Sequence, residues 1–262
     1  MKKTILAAGA AVVAAAMFAS PAFAVATLEL PATDQMFLID CDSYSAQIWK
    51  VTDSTTGAAE PFGTPVVGAD DCAYAGGYDP TTGSGYWVDG NVNAIGKFDI
   101  ETGAAELIGI SGDANTIWQI AVGSDGTAIM QENEAPYDIF AIDLATGETT
   151  ALDNGDTGGT WGYLTFNPAT DEFTYFAYLD NGNTFDVYTV DPTDGSQTLV
   201  STILRADVPR EDNPCGGQTG NSIDEIGIDS NGNYWMQMDG WMSDMVVYDP
   251  NADEWSYNGY TQ

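Results

Sequence analysis

The sequence contains no histidine, and it has only 6 lysine and arginine residues against 39 aspartate and glutamate residues, a formal net charge of −33 over 262 residues. Without histidine, Ser-His-Asp or Cys-His catalysis, zinc binding through imidazole and an imidazole pH switch are excluded. Six basic residues cannot neutralise the phosphates of a nucleic acid, and an anionic membrane surface repels so acidic a chain. The sequence therefore predicts neither of these partners.

Cysteine is also scarce, and occurs only as Cys41, Cys72 and Cys215. No pair has the C-x-x-C spacing of a redox motif or a thiolate metal cluster. In an exported protein, three cysteines indicate one disulfide and one odd thiol. We expect Cys41 to bond with Cys72, because both fall at neighbouring corners of the repeat described below, and Cys215 to stay free. The alternative is three buried free thiols.

A long apolar run occurs only at the N-terminus. Lys2 and Lys3 precede the apolar run 5–18, and Ala22-Phe23-Ala24 has the small-x-small pattern that a signal peptidase cleaves. The run is short for a membrane span, and no later one reaches the roughly 18 residues that a span needs. We therefore expect a signal peptide over 1–24, cleavage after Ala24, and a secreted or periplasmic domain over 25–262. The alternative is an uncleaved N-terminal anchor.

What the sequence does contain is enough apolar surface for a folded core. Hydrophobic residues make up 44% of the chain, with 7 Trp, 13 Tyr and 10 Phe, which argues against disorder. The 29 glycines are typical of a protein with many turns, and no segment has a sustained helical period. The composition favours an all-β fold.

A short phrase recurs along the chain: an apolar strand, then Asp, three residues and, in most copies, Gly. An Asp at the start of a turn accepts amide hydrogen bonds from residues further on, and the closing Gly adopts the left-handed conformation easily, so each copy predicts a strand-to-strand connector. The recurring Asp occupies positions Asp53, Asp99, Asp143, Asp191 and Asp249. This period is typical of a propeller blade.

The repeat resembles bacterial secreted β-propellers of the YVTN, NHL and quinoprotein-like type, whose blades share D-x-x-T-G connectors. We expect a single five-bladed β-propeller of four-stranded antiparallel blades, with the first innermost strand at 25–30 and an insertion at about 205–219. The predicted blades are 25–67, 68–112, 113–157, 158–204 and 220–260. The alternatives are a six-bladed or incomplete propeller and, as a different architecture, a β-sandwich.

The resemblance also implies that two sets of loops emerge on one face, where propeller ligands usually bind. The repeat places an acid of every blade there, and carboxylate oxygens are what Ca²⁺ binds. The predicted metal ligands are Asp40, Asp42, Asp71, Asp89, Glu132, Asp180 and Asp239. The alternative is a solvated acidic surface that keeps the protein soluble in salt.

Aromatic residues and two further acids fall at the starts of the inner strands, around the central channel. A flat ligand such as a sugar ring would stack on the aromatic rings, and the acids would accept its hydroxyl groups. The predicted ligand-binding residues are Tyr74, Trp118, Trp161, Tyr163, Asp224 and Glu225. The alternative for each aromatic residue is packing between blades.

These patterns favour a binding module for a cation, glycan or protein partner over an enzyme. One alternative is a calcium-dependent hydrolase of lactonase or glycosidase type. It is weakened because Asp224 and Glu225 are neighbours in a strand, where adjacent side chains point to opposite faces. A second alternative is a surface or matrix protein that assembles with copies of itself.

Overall fold

The structure is a computed structural model that describes residues 2–8, 34–42, 45–53, 58–69, 73–89, 92–114, 116–179, 184–204, 223–238 and 243–261. All regular secondary structure in these ranges is β-strand. A helix of the length and apolar character needed to cross a membrane does not occur among them.

The strands form five sheets along the chain. The first contains β1 (Lys2–Ala8), β2 (Gln35–Asp42), β3 (Ser45–Asp53) and β4 (Ala58–Val67). The second contains β5 (Ala73–Asp79), β6 (Ser84–Asp89), β7 (Ala94–Asp99) and β8 (Ala105–Gly109). The third contains β10 (Gln119–Val122), β11 (Ala128–Gln131), β12 (Ile139–Ile142) and β13 (Glu148–Ala151), and β9 (Ser111–Gly112) runs parallel to β13.

The last two sheets complete the set. The fourth contains β14 (Gly162–Asn167), β15 (Glu172–Leu179), β16 (Thr184–Val190) and β17 (Gln197–Leu204). The fifth contains β18 (Ile223–Ile228), β19 (Tyr234–Met238), β20 (Ser243–Asp249) and β21 (Glu254–Thr261). Apart from β9, consecutive strands of each sheet pair in order and antiparallel, from an innermost to an outermost strand.

The innermost strands close a ring. Strand β1 packs beside β5, β5 beside β10, β10 beside β14, β14 beside β18, and β18 beside β1. The protein is therefore a five-bladed β-propeller, which confirms the predicted fold class. Each blade is built from its own stretch of chain, and no described strand of the first blade pairs with one of the fifth.

The first innermost strand is Lys2–Ala8, whereas the repeat predicts 25–30 for this place. Ile5 lies opposite Leu38 and Leu6 opposite Phe37 in the pairing of β1 with β2. An innermost propeller strand has a sheet on each side, so the apolar residues 5–8 of β1 suit this position. Residues 25–30 lie outside the described residues, and the signal peptide remains a prediction.

The hydrophobic core lies between blades rather than within one. Phe37, Ile48, Trp87 and Phe98 join the first blade to the second, and all four are fully buried. Similar apolar clusters join the second to the third, the third to the fourth and the fourth to the fifth. Adjacent blades therefore stabilise each other by apolar burial.

The recurring connector also holds blades together. The amides of Glu101 and Thr102 donate to Asp99 Oδ1 at 3.0 and 2.7 Å, and Gly103 follows with a φ of +72°. A Cβ on Gly103 would lie 2.5 Å from the Cα of Gly63 in the first blade. This glycine is required both by its turn and by the close approach of the neighbouring blade.

Candidate functional site

The candidate site lies on the face at which the inner strands begin, which we call the top face. Antiparallel pairing brings the loops that precede the inner strands and the loops that follow the second strands to the same side. In the third and fourth blades the top face comprises the described residues of 113–118, together with 132–138 and 153–161.

Four aromatic side chains form a connected group on the top face, which we call the aromatic cluster: Trp118, Trp161, Tyr163 and Tyr178. The rings of Trp118 and Trp161 meet edge to face, with centroids 6.0 Å apart. Trp161 packs against Tyr163 and Tyr178, at 5.1 Å in each case. Trp118 and Trp161 are half-buried, so part of each indole faces solvent.

Backbone hydrogen bonds hold the main chain at both tryptophans of the aromatic cluster. The amide of Trp118 donates to the carbonyl of Gln131 at 2.8 Å, and the amide of Tyr178 donates to the carbonyl of Trp161 at 2.9 Å. Tyr163 is only 1% exposed and belongs to the core between the fourth and fifth blades. It supports Trp161 from below rather than offering a surface to a ligand.

Two glutamine side chains lie beside the aromatic cluster. Gln119 and Gln131 face each other in the pairing of β10 with β11, and they are 1% and 0% exposed. Gln119 Oε1 accepts the amide of Leu164 at 3.2 Å, and Gln131 Nε2 donates to the hydroxyl of Tyr175 at 2.9 Å. Gln119 Nε2 and Gln131 Oε1 have no hydrogen-bond partner in the structure described. The glutamine pair therefore has one donor and one acceptor without a hydrogen bond.

Tyr175 joins the glutamine pair to the base of Trp161. Its hydroxyl accepts from Gln131 and donates to the carbonyl of Thr160, the residue before Trp161. Burial raises the pKa of the Tyr175 phenol well above its ordinary value, and the hydrogen bonds with Gln131 and Thr157 lower it only in part. The phenol therefore stays protonated and keeps its donor role at all ordinary pH values.

A cleft of about 510 Å³ opens beside this network, between the loop 154–158 and the fourth blade. Its walls include Asp156, Thr157, Thr160, Tyr175 and Gln197. Hydroxyl, amide and carboxylate groups dominate this lining, so the cleft offers hydrogen bonds more than apolar contact.

Acidic side chains gather at the same corner. Glu132 and Asp138 end the ladder between β11 and β12, where the Glu132 amide donates to the Asp138 carbonyl at 3.0 Å. Burial raises the pKa of Asp138, and the charges of Asp156 and Glu132 raise it further. The described basic side chains Lys50 and Lys97 lie on β3 and β7, in other blades.

Two predicted metal ligands have described side chains, and both are buried. Asp89 is 0% exposed at the end of β6, and its Oδ1 accepts the amide of Val92 at 3.3 Å. Glu132 is 6% exposed in the third blade. The described residues contain no group of three or more acidic or cysteine side chains arranged to hold a metal ion. The Ca²⁺ site remains a prediction.

The other predicted residues are placed only through their strands or not at all. Asp40 and Asp42 are part of β2, opposite Gln47 and Ser45, rather than in a loop. Tyr74 lies in β5 opposite Val88. The pairing of β18 with β19 shifts register between Ile223 and Glu225, which places Asp224 at an irregularity. Cys41 lies in β2. Asp71, Cys72, Asp180 and Asp239 lie outside the described residues.

The structure adds site residues that the sequence pattern did not indicate. Tyr178 joins the aromatic cluster from the second strand of the fourth blade, and Asp138 joins Glu132 across a loop. Gln119 directly follows Trp118, but its partner Gln131 becomes apparent only from the register of two strands. No pattern in the sequence indicates that the two glutamines lie opposite each other.

Comparison of the sequence with protein-family models and with curated proteins gives no match. Among solved structures, a protein of unknown function from Bacteroides thetaiotaomicron is 16% identical, over 79% of this chain and 54% of that chain, with a TM-score of 0.54. A chain of a nidogen/laminin complex is 14% identical, over 80% of this chain and 73% of that chain, with a TM-score of 0.53. Virginiamycin B lyase from Staphylococcus aureus is 16% identical, over 87% of this chain and 67% of that chain, with a TM-score of 0.48. The similarity to the first two structures, whose TM-scores exceed 0.5, agrees with a β-propeller, and at such identities it shows the fold alone.

Proposed function

We propose that this protein is a binding module that holds a sugar ring of a glycan on the aromatic cluster of its top face. The observation that carries the proposal is the pair of half-buried indoles, Trp118 and Trp161, which come from two adjacent blades and have ring centroids 6.0 Å apart. An indole offers a flat apolar surface with a polar edge, and carbohydrate rings present an apolar face of similar size.

The polar surroundings of the indoles fit the hydroxyl groups of a sugar. The cleft that reaches Thr160, the residue before Trp161, is also lined by Asp156 and Thr157, and the oxygen atoms of these residues accept hydrogen bonds from hydroxyl groups. A carboxylate makes the stronger of these hydrogen bonds because it is charged. Since no basic side chain is described near the cleft, a neutral glycan fits better than an acidic one.

A screen followed by calorimetry tests this function. The full chain is applied to an array of neutral and acidic glycans, and the strongest ligand is titrated into the Trp161→Ala and Trp118→Ala variants. Loss of one stacked ring should weaken binding at least about tenfold, equivalent to about 1.4 kcal/mol. Trp255→Ala is the control, because Trp255 is also half-buried but lies on outer strand β21 against Tyr248. An equal loss of affinity in all three variants, or the absence of any bound glycan on the array, would contradict the proposal.

A second candidate ligand is Ca²⁺, favoured by the charge repulsion that Asp138 experiences from Asp156 and Glu132, although these three acids do not by themselves form a metal-binding group. Burial raises the pKa of Asp138 and the charges of Asp156 and Glu132 raise it further, and a bound cation would relieve this charge repulsion. Thermal unfolding with millimolar Ca²⁺ against EDTA tests it, with Na⁺ at equal ionic strength as the control. A rise in Tm with Ca²⁺ alone supports a site, whereas an equal rise with both salts indicates screening of the net charge.

We also propose that the protein acts outside the cytoplasm after residues 1–24 are removed, and that residues 25–30 then take the place of Lys2–Ala8 as the first innermost strand. The support is the basic start, apolar run and small-x-small motif at the N-terminus. Mass spectrometry of the protein from its native host tests this: an N-terminus at Val25 is expected, and an intact residue 2 would contradict it.

A further inference from the structure

The outermost strand of the fourth blade, β17, exposes apolar side chains at the edge of its sheet. Leu199, Val200 and Leu204 are 54%, 59% and 50% exposed. Among the described residues, only two other large apolar side chains are exposed, Val67 and Val92. The eight residues of β17, Gln-Thr-Leu-Val-Ser-Thr-Ile-Leu, include no charge, proline or glycine.

The other outermost strands carry features that oppose pairing with a further strand. Strand β4 contains Pro61 and Pro65, which cannot donate a backbone hydrogen bond. Strand β8 has only five residues and includes Glu106. Strand β13 is covered by β9, and β21 begins with Glu254. Natural sheets protect their edges by such means.

Within the described part of the chain, strand β17 lacks the proline, charge, short length and covering strand that protect the other edges, and its only protective feature is a β-bulge. The register shift between Val187 and Tyr188 leaves Val200 as the extra residue, because Ser201 faces Val187 and Leu199 faces Tyr188. On either side of it, the pairs from Thr184 to Val190 are regular, and no described strand pairs with the outer edge of β17. An edge of this length can accept another strand.

The surroundings of this uncharged edge are acidic. Asp191 and Asp194 lie in the turn before β17, and Asp186 on β16 accepts a hydrogen bond from the hydroxyl of Thr202. Gln197 at the start of β17 donates to the carbonyl of Asp156. A segment that pairs with β17 therefore lies between carboxylates, and basic side chains at its ends complement them.

We propose that β17 is a docking edge for an extended segment of a partner protein, which adds a fifth strand to the fourth blade. The segment has apolar side chains that cover Leu199 and Leu204, and lysine or arginine near its ends. A second copy of this chain fits less well, because two surfaces that each belong to a chain of charge −33 repel. This surface does not include the aromatic cluster, although it meets the cleft at Gln197, and the proposal does not depend on glycan binding.

A synthetic peptide, Lys-Val-Thr-Val-Thr-Val-Thr-Lys, is the probe for this edge. Its binding to the full chain is measured by fluorescence anisotropy, together with hydrogen exchange of the amides of 197–204. We expect binding that weakens as salt increases, and slower exchange in β17. A peptide with glutamate in place of both lysines, and one with proline in place of the two outer valines, should bind at least about tenfold more weakly.

The Leu199→Thr/Val200→Thr double variant tests the surface itself. It keeps the charge and the β-propensity but removes the apolar contacts, so we expect at least about fivefold weaker binding. Val67→Thr is the matched control, because Val67 is 84% exposed on the outermost strand of another blade. Equal binding by all variants, or protection of another strand, would overturn the proposal. A dimer in light scattering that the double variant abolishes would also overturn it, in favour of a second copy.

Discussion

The carboxylate of Asp34 accepts the backbone amide of Ser230 at 3.0 Å, although 196 positions separate the two residues. Asp34 precedes β2 in the first blade, and Ser230 lies in the turn between β18 and β19 in the fifth. Asp171 of the fourth blade accepts the Ser124 hydroxyl of the third at the corresponding turns. Ring closure thus repeats a contact used between consecutive blades, without a strand shared between the ends of the chain.

Removing this contact should weaken the closed ring. We expect Asp34→Ala to lower the free energy of unfolding by about 1 to 3 kcal/mol, because Asp34 is 8% exposed and its hydrogen bond is charge-assisted. Asp34→Asn keeps an acceptor oxygen and should lose less. Urea denaturation followed by tryptophan fluorescence measures both. Equal stability of the alanine variant and the wild type would show that packing alone closes the ring.

The close approach of Gly103 to Gly63 gives a second prediction. Gly103→Ala should lower the free energy of unfolding for two reasons. Alanine is strained in the left-handed conformation, and its Cβ would overlap the first blade, which should cost a further ~1 to 3 kcal/mol. Gly83→Ala is the control, since Gly83 has a φ of +68° but nothing within 4 Å of an added Cβ. The difference between the two variants in urea denaturation isolates the contact between blades. Equal losses would show that the turn conformation alone explains the glycine.

The acidic corner predicts a pH dependence of stability. The folded pKa of Asp138 is raised, so its contribution favours folding at low pH and is lost as pH rises through that pKa. Asp138→Asn should therefore be more stable than the wild type at pH 7, by about 0.5 kcal/mol as for a like-charged cross-strand pair. The difference in unfolding free energy between this variant and the wild type should vanish when the pH falls below the ordinary Asp pKa of 3.8.

Asp125→Asn, in the same blade, is the control of opposite sign. The backbone amide of Thr127, followed by its side chain, lowers the pKa of Asp125, so its stabilisation is present at pH 7 and lost as pH falls through the folded pKa. This variant should be less stable than the wild type at pH 7. Denaturation curves at pH 7 and pH 3 measure both variants. If both variants were stabilised at pH 7, or both destabilised, the opposite roles of Asp138 and Asp125 would be contradicted.

The blade count was predictable because the connector chemistry repeats locally. Asp99, Asp143 and Asp191 each need only their own turn residues to form a connector, so a periodic sequence indicates a periodic fold. The aromatic cluster was partly predictable for the same reason, since Trp118 and Trp161 occupy equivalent places before two inner strands.

The rest depends on relations between distant residues. The Gln119–Gln131 pair requires the register of β10 against β11, and the burial of Tyr163 requires knowing which side of β14 packs on the next blade. Strand β1 shows the same limit, because an apolar run is compatible with both a leader and an innermost strand. Periodicity predicts the elements but not which neighbour each side chain meets.

Oxidative footprinting with mass spectrometry shows whether a glycan covers the aromatic cluster. The full chain is oxidised with and without a saturating concentration of the best glycan from the array, and each tryptophan is quantified. We expect Trp118 and Trp161 to become protected while Trp255 is oxidised at an unchanged rate, because Trp255 lies on outer strand β21. Protection of Trp255 with unchanged oxidation of Trp118 and Trp161 would contradict it.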